Sequence, residues 1–353
     1  YYSIPQLKQL YASGNPSLWP KATIDSTVVD FQDIGVLPDV TFPKDNPYSE
    51  AKRELGKILF FDPRLSSSGQ ISCASCHAPE LGWGDGKRVS NGHDRLSGNR
   101  NAKPIINSAF AKVLFWDGRA SSLEDQARFP IQDTKEMNHD IKKAVKDIKK
   151  IKGYKKLFAD AFGSEEVNEE RILKAIATFE RTVVSKKSRF DKFIMGDSTQ
   201  LNDQEVLGLH LFRTKARCIN CHNSPYFSDN QFHNAGLTYY KREYEDLGLY
   251  NITKKASDVG KFRTPSLREI MKTAPYMHNG LFPHMRGVLN MYNAGMPNNK
   301  PKPGQENDPL YPVTSPLLKK LELNETELKA LEAFMESITS VIYREPAPKE
   351  LPK

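Results

Sequence analysis

The sequence predicts an all-α chain of two helical units in tandem, joined by long irregular loops. Three observations point there. Apolar residues recur at helical spacing in several segments, and no segment shows the alternation of a strand. A helical stretch followed by Cys-x-x-Cys-His occurs twice, at Cys73–His77 and at Cys218–His222. With 353 residues the chain is long enough for two separate cores.

The elements follow in chain order. Residues 1–45 carry Pro5, Pro16, Pro20, Pro38 and Pro43 and read as an extended arm. Ser49–Phe61 reads as a helix with Leu55, Ile58 and Leu59 on one face, stopped by Asp62-Pro63. Gly-rich irregular chain surrounds the first motif. Lys142–Lys156 is the exposed Lys-rich face of a helix. Ser164–Phe193 reads as one long helix capped by Ser164, with Ile172, Leu173, Ile176, Phe179 and Val183 inward. Leu201–Lys215 precedes the second motif, and Asn324-x-x-Glu327 is a capping signal that opens a last helix. The predicted units are 46–195 and 196–345, with 346–353 as a tail.

Cys-x-x-Cys-His is the attachment motif of c-type haem. Each thiol adds to a vinyl group, and the adjacent His ligates iron from the proximal side. Two motifs predict two covalent haems, on Cys73, Cys76 and His77 and on Cys218, Cys221 and His222, and they use all four cysteines. A single zinc tetrahedron would need both Cys pairs but gives no reason for a His after each. A thioredoxin-like pair would need a βαβ setting that the pattern lacks. The two units therefore read as cytochrome c-like, with porphyrin filling much of each core. Such haems are attached outside the cytoplasm, which predicts a periplasmic or cell-surface protein. The start, Tyr1-Tyr2-Ser3-Ile4-Pro5, has neither an initiator Met nor an apolar signal core, so it reads as mature or trimmed. An anchor in a removed N-terminal segment fits the same reading.

The charge balance excludes little. The formal net charge of +8 suits a solvated basic surface or one that steers an acidic redox partner. No basic run interleaves with aromatics as a nucleic-acid groove would. No stretch reaches the roughly 18 apolar residues of a membrane span.

Three phrases around the two motifs carry a family resemblance: Leu55–Ser66 (LGKILFFDPRLS), Phe115–Met137 (FWDGRASSLEDQARFPIQDTKEM) and Gly260–Gly280 (GKFRTPSLREIMKTAPYMHNG). Over about residues 50 to 340 the chain resembles the bacterial di-haem cytochrome c peroxidases and their MauG-like relatives. The resemblance implies that the N-terminal haem meets peroxide and the C-terminal haem relays an electron. Glu136, 59 residues after His77 (136 − 77), matches the family's catalytic Glu, with Gln126 and Pro130 as distal neighbours. A carboxylate there is chemically apt, because cleaving peroxide moves a proton from one oxygen to the other. Trp116 matches the Trp between the two haems.

The same resemblance implies roles for several more residues. His93, 16 residues after His77, stands where the peroxidase branch places a removable sixth ligand; the other reading is a solvated loop His. Tyr292, 14 residues after His278, takes the second haem's distal position, which is Met in the peroxidase branch and Tyr in the MauG-like branch. Met285, Met291 and Met296 are the alternatives if that loop is slipped. Arg263 and His278 are implied partners of haem propionates. Asn101, Thr273 and Pro275 fall where the family holds a calcium ion between domains. Ala216 departs from the family, because relatives that oxidise a protein partner at long range carry a surface Trp there.

Three functions follow as expectations. The first is reduction of hydrogen peroxide, with electrons from a small c-type cytochrome or cupredoxin. The second is MauG-like oxidation of a protein or other substrate through high-valent haems. The third is electron transfer without substrate turnover, against which Glu136 argues. A homodimer is implied only by resemblance.

Overall fold

The computed structural model describes residues 2–341 and 344–353; Tyr1, Ile342 and Tyr343 lie outside the described residues. Helix dominates, as the periodicity predicts. In chain order the helices are α1 (Ile4–Ala12), α2 (Glu50–Phe61), α3 (Leu123–Gln132), α4 (Ile141–Lys150), α5 (Lys152–Phe162), α6 (Glu169–Thr182), α7 (Arg189–Ile194), α8 (Asp203–Arg213), α9 (Tyr250–Thr253), α10 (Met285–Asn293) and α11 (Glu325–Ser337). Among the described residues the one sheet pairs β1 (Phe232–His233) with β2 (Phe262–Arg263), antiparallel, with Phe232 opposite Arg263.

The chain divides into two compact units. The Cys73 unit takes Asp39–Phe115, Arg119–Val184 and Ile342–Lys353. The Cys218 unit takes Tyr1–Pro38, Trp116–Gly118 and Ser185–Val341.

In the Cys73 unit, α2 opens under Ser49, whose hydroxyl accepts from the Lys52 N–H, and buries Leu55, Leu59 and Phe60. It crosses α6 at Gly56, where a Cβ would lie 1.8 Å from the Ala175 carbonyl oxygen. Only glycine allows that approach. One turn on, Phe60 packs on Phe179, and Phe179 on Trp83, at centroid distances of 5.2 and 6.0 Å. The C-terminal segment is no loose tail. Glu345 pairs with Arg53 and Lys57 at 2.8 and 2.7 Å, and Gly153 donates to the Lys353 carbonyl at 2.7 Å.

The Cys218 unit repeats this construction with its own residues. Gly208 of α8 lies against α11, a Cβ there falling 2.0 Å from the Ala330 carbonyl oxygen. Phe212 packs on Phe334 and Phe334 on Phe227, at 5.3 and 6.3 Å. The matching sequences are Leu55-Gly56-x-x-Leu59-Phe60 and Leu207-Gly208-x-x-Leu211-Phe212.

Several expectations need correction. Residues 1–45 are not all extended: α1 starts under a capping box of Ser3 and Gln6 and packs on α8, burying Leu7 and Tyr11. The prolines mislead because Pro5 stands in the first turn, where its missing N–H costs nothing. The predicted helix over 164–193 is two helices. Asn168, not Ser164, caps α6, with Glu169 and Glu170 in the favoured first turn. It ends at Thr182 because the Val183 carbonyl accepts from the Asn107 N–H at 2.9 Å, and Ser188 then caps α7. The division between units accordingly falls at Val184/Ser185 rather than 195/196. The Asn324/Glu327 capping box forms as the sequence predicts.

Candidate active site

Each Cys-x-x-Cys-His segment is a tight turn. The His77 N–H donates to the Cys73 carbonyl at 3.0 Å, and the His222 N–H to the Cys218 carbonyl at 2.9 Å. Both imidazoles are then oriented alike. His77 Nδ1 lies 3.2 Å from the Trp83 carbonyl oxygen, and His222 Nδ1 lies 3.1 Å from that of Phe227. A carbonyl can only accept, so Nδ1 carries the proton and Nε2 keeps its lone pair for a metal. Burial holds both imidazoles below the usual His range, which favours the neutral ligand form. All four cysteines are free of disulfides.

Buried polar groups are normally satisfied within a protein. In the Cys73 unit, Ser108 Oγ, Glu180 Oε2 and His93 Nδ1 are buried with no partner among the described residues. In the Cys218 unit the same holds for Arg263 Nε, Asn223 Nδ2 and Asn279 Nδ2. A haem brings iron and two propionates, so unpartnered donors and acceptors of this kind in the unit of each motif fit the group.

Backbone bonds tie the His93 and Glu136 segments of the Cys73 unit together and tie the latter to Pro130 of α3. Glu136 is half-buried, and its carboxyl is pushed up to about 7, chiefly by burial and then by Asp133, with Arg119 opposing. Arg119 itself lies over the Phe115 ring at 3.4 Å. Gln126 sits on α3, half-buried, and Pro130 four residues later has no N–H to give its carbonyl. The Pro130 carbonyl accepts from the Met137 N–H at 3.1 Å, which folds the Glu136 segment back onto α3.

His93 is tied to this segment through the backbone, since its N–H donates to the Glu136 carbonyl at 2.8 Å. At Gly92 a Cβ would stand 2.2 Å from the Lys135 carbonyl oxygen. Asp94 and Arg95 follow at φ of 51° and 60°, an uncommon conformation for such residues.

In the Cys218 unit, Trp116 is buried, and its carbonyl accepts from the Arg263 N–H at 2.9 Å. Its ring meets His278 edge-on at 6.3 Å, and His278 stacks on Phe262 at 3.7 Å. Tyr292, on α10, packs against the core that contains Cys218. Burial, then the Cys221 and Cys218 sulfurs, push its phenol above the usual range. Met285 and Met296 are buried and Met291 is half-buried. Ala216 is buried in the same core, so this position presents no surface side chain.

Of the calcium candidates, Asn101 donates its amide to the Lys87 carbonyl at 2.9 Å, and the Thr273 hydroxyl donates to the Ile270 carbonyl at 3.2 Å. Both groups leave oxygen lone pairs available. Sequence reasoning passed over the Trp83 and Phe227 carbonyls, Glu180, and an Asp229–His233 pair bonded at 2.7 Å near Cys221. The Asp-x-x-x-His spacing just after the second motif was the available signal for the last of these.

Comparison with known proteins gives the family. Residues 50–199 match the family model of di-haem cytochrome c peroxidase. The chain is 38% identical over 332 residues to cytochrome-c peroxidase IdrP1 of Pseudomonas sp. (strain SCT), covering 86% of this chain and 84% of that protein. It is 39% identical over 317 residues to the methylamine utilization protein MauG of Methylorubrum extorquens, covering 89% and 84%. Among solved structures, a MauG-like protein associated with microbial copper homeostasis shares the fold at a TM-score of 0.77 and 32% identity, covering 90% of this chain and 96% of that one. No described helix is long and apolar enough to cross a membrane. The chain thus belongs to the di-haem cytochrome c peroxidase family, MauG-like proteins included, and is a di-haem peroxidase, an oxidoreductase of the c-type cytochrome class.

Proposed function

We propose that the chain reduces hydrogen peroxide to water at the haem held by Cys73, Cys76 and His77. The electrons come from a small c-type cytochrome or cupredoxin and pass through the haem held by Cys218, Cys221 and His222. The observation that carries this reading is Glu136, a half-buried carboxyl pushed up to about 7 in the unit of the first motif. A pure electron carrier needs no acid on the haem face where peroxide would bind.

The overall change is H2O2 + 2 e⁻ + 2 H⁺ → 2 H2O. A haem held by Cys73, Cys76 and His77 would supply an iron able to bind a peroxide oxygen and deliver electrons to it. Ionised Glu136 accepts the proton of that oxygen and returns it to the other, so that water rather than hydroxide leaves. Gln126 orients the peroxide by hydrogen bonding. His93 closes the site from the loop bonded to Glu136, and Trp116 carries electrons toward it.

Two cytochrome c-like haem domains in tandem, calcium held by Asn101, Thr273 and Pro275, Arg263 and His278 on propionates, export to the periplasm and a homodimer belong to the same reading. Mixing the two-haem protein with a reduced small cytochrome and peroxide tests its core. Two donor molecules should be oxidised per peroxide consumed. Consumption of peroxide with no donor oxidation sinks the reading.

Tyr292 favours the MauG-like alternative, because it lies beside Cys218 and Cys221. A phenolate on the second iron stabilises oxidised states, where a thioether would stabilise the reduced one. Half-reduction should then give no His/Met ferrous spectrum. Tyr292→Phe should raise the second haem's potential while both thioether-linked haems stay in place. Resonance Raman evidence of Met sulfur on that iron would remove Tyr292 from the site.

A further inference from the structure

The Cys73 unit buries a second carboxyl besides that of Glu136. Glu180, in the last turn of α6, is 4% exposed, and its Oε2 has no hydrogen-bond partner among the described residues. Its neighbours on the helix are anchored elsewhere. Phe179 packs on Trp83, whose carbonyl orients His77, and Arg181 bonds Glu124 through two nitrogens at 2.5 and 2.8 Å. Glu180 follows Phe179, a member of the core against which Cys73 packs, and after burial it is the charged group that raises the Cys73 thiol most.

The charges acting on Glu180 are few. Arg181 of its own helix favours ionisation, and Glu124 of α3 opposes it. Those two are bonded to each other. The other elements packed on α6, namely α2, α4 and the Ser108–Phe110 turn, contribute none. Burial therefore dominates and pushes the carboxyl up to about 8. An electron added to such a dry site raises the proton affinity of any acid beside it.

We propose that Glu180 is the redox-linked proton site of the first haem, taking up one proton when that haem gains one electron from a reduced redox protein or an electrode. Oxidation returns both. The net charge of the buried site is then the same in either state, and no bond other than the carboxyl O–H forms or breaks. The inference rests on haem attachment at Cys73 and His77 as read above.

The test is a spectroelectrochemical titration of the two-haem protein over pH, with redox-difference infrared spectra. The first haem's potential should fall as pH rises above about 8, where the carboxyl is ionised before reduction and protonated after it; below that it is protonated in both states. In Glu180→Gln the slope above about 8 should be lost, while any dependence near 7 that belongs to Glu136 stays. In the same range above about 8, reduction of the wild type should gain a protonated-carboxyl band that shifts with ¹³C-labelled glutamate. A Gln variant that keeps the wild-type slope overturns the proposal. So does a wild-type infrared spectrum without that band, a readout that needs no variant. The haem count by mass is a separate control. Wild-type chain without covalent haem sinks the haem reading itself, whereas two haems and a pH-independent first potential sink only the role of Glu180.

Discussion

Glu136→Gln is expected to lower peroxide turnover by about 10²-fold or more while both haems are retained. The substitution keeps the shape of the side chain and removes its basicity, so binding and folding stay close to wild type. The pH profile adds a second, independent reading. Burial and Asp133 push the Glu136 carboxyl up to about 7. A base works when ionised, so wild-type kcat/KM should rise with pH and level off above about 7. The variant should lose that limb and keep a low, nearly flat rate. Stopped-flow measurement of peroxide decay at several pH values checks both. Near-wild-type turnover in the variant, or a wild-type profile that falls through this range, would move the proton transfer to another group.

The parts of the site that were legible in the sequence are those that covalent chemistry spaces rigidly. Two thiols and a His must stand at fixed separations to hold one haem, so Cys73–His77 and Cys218–His222 can be found without a fold. Glu136, Gln126 and Trp116 are candidates only through long matching phrases, since a lone Glu or Trp has no signature of its own. What was not legible depends on backbone atoms. The carbonyls of Trp83 and Phe227 fix the two imidazoles, and that of Glu136 holds the His93 loop, yet a carbonyl leaves no mark on residue identity. Glu180 looks in sequence like an ordinary solvated Glu on a helix, next to Arg181 and facing a different direction from it. The structure buries it, while Arg181 pairs with Glu124. The misread N-terminus has a different cause. Five prolines in 45 residues outweighed the Ser3-x-x-Gln6 capping box, although Pro5 at the first turn is compatible with a helix.

Gly56→Ala and Gly208→Ala are each expected to destabilise the protein by about 3 kcal/mol or more. Two effects compete at these positions. Ala is the better helix former, by about 1 kcal/mol in an exposed helix interior. Against that, the added Cβ would lie 1.8 Å from the Ala175 carbonyl oxygen at Gly56 and 2.0 Å from the Ala330 carbonyl oxygen at Gly208. Helix backbone cannot give way as the end of a flexible side chain can, so each helix pair must move apart by more than an ångström. That separation loosens the Phe60–Phe179–Trp83 stack in one unit and the Phe212–Phe334–Phe227 stack in the other. The carbonyls of Trp83 and Phe227 are the ones that orient His77 and His222. The clash therefore reaches the two motif imidazoles as well as the core. Denaturant unfolding of the two-haem protein measures the stability loss, and the haem spectra report the ligand geometry. Each variant should perturb mainly the haem of its own unit. A variant stabilised by the propensity gain, with both haem spectra unchanged, would show that the helices do not cross at contact there.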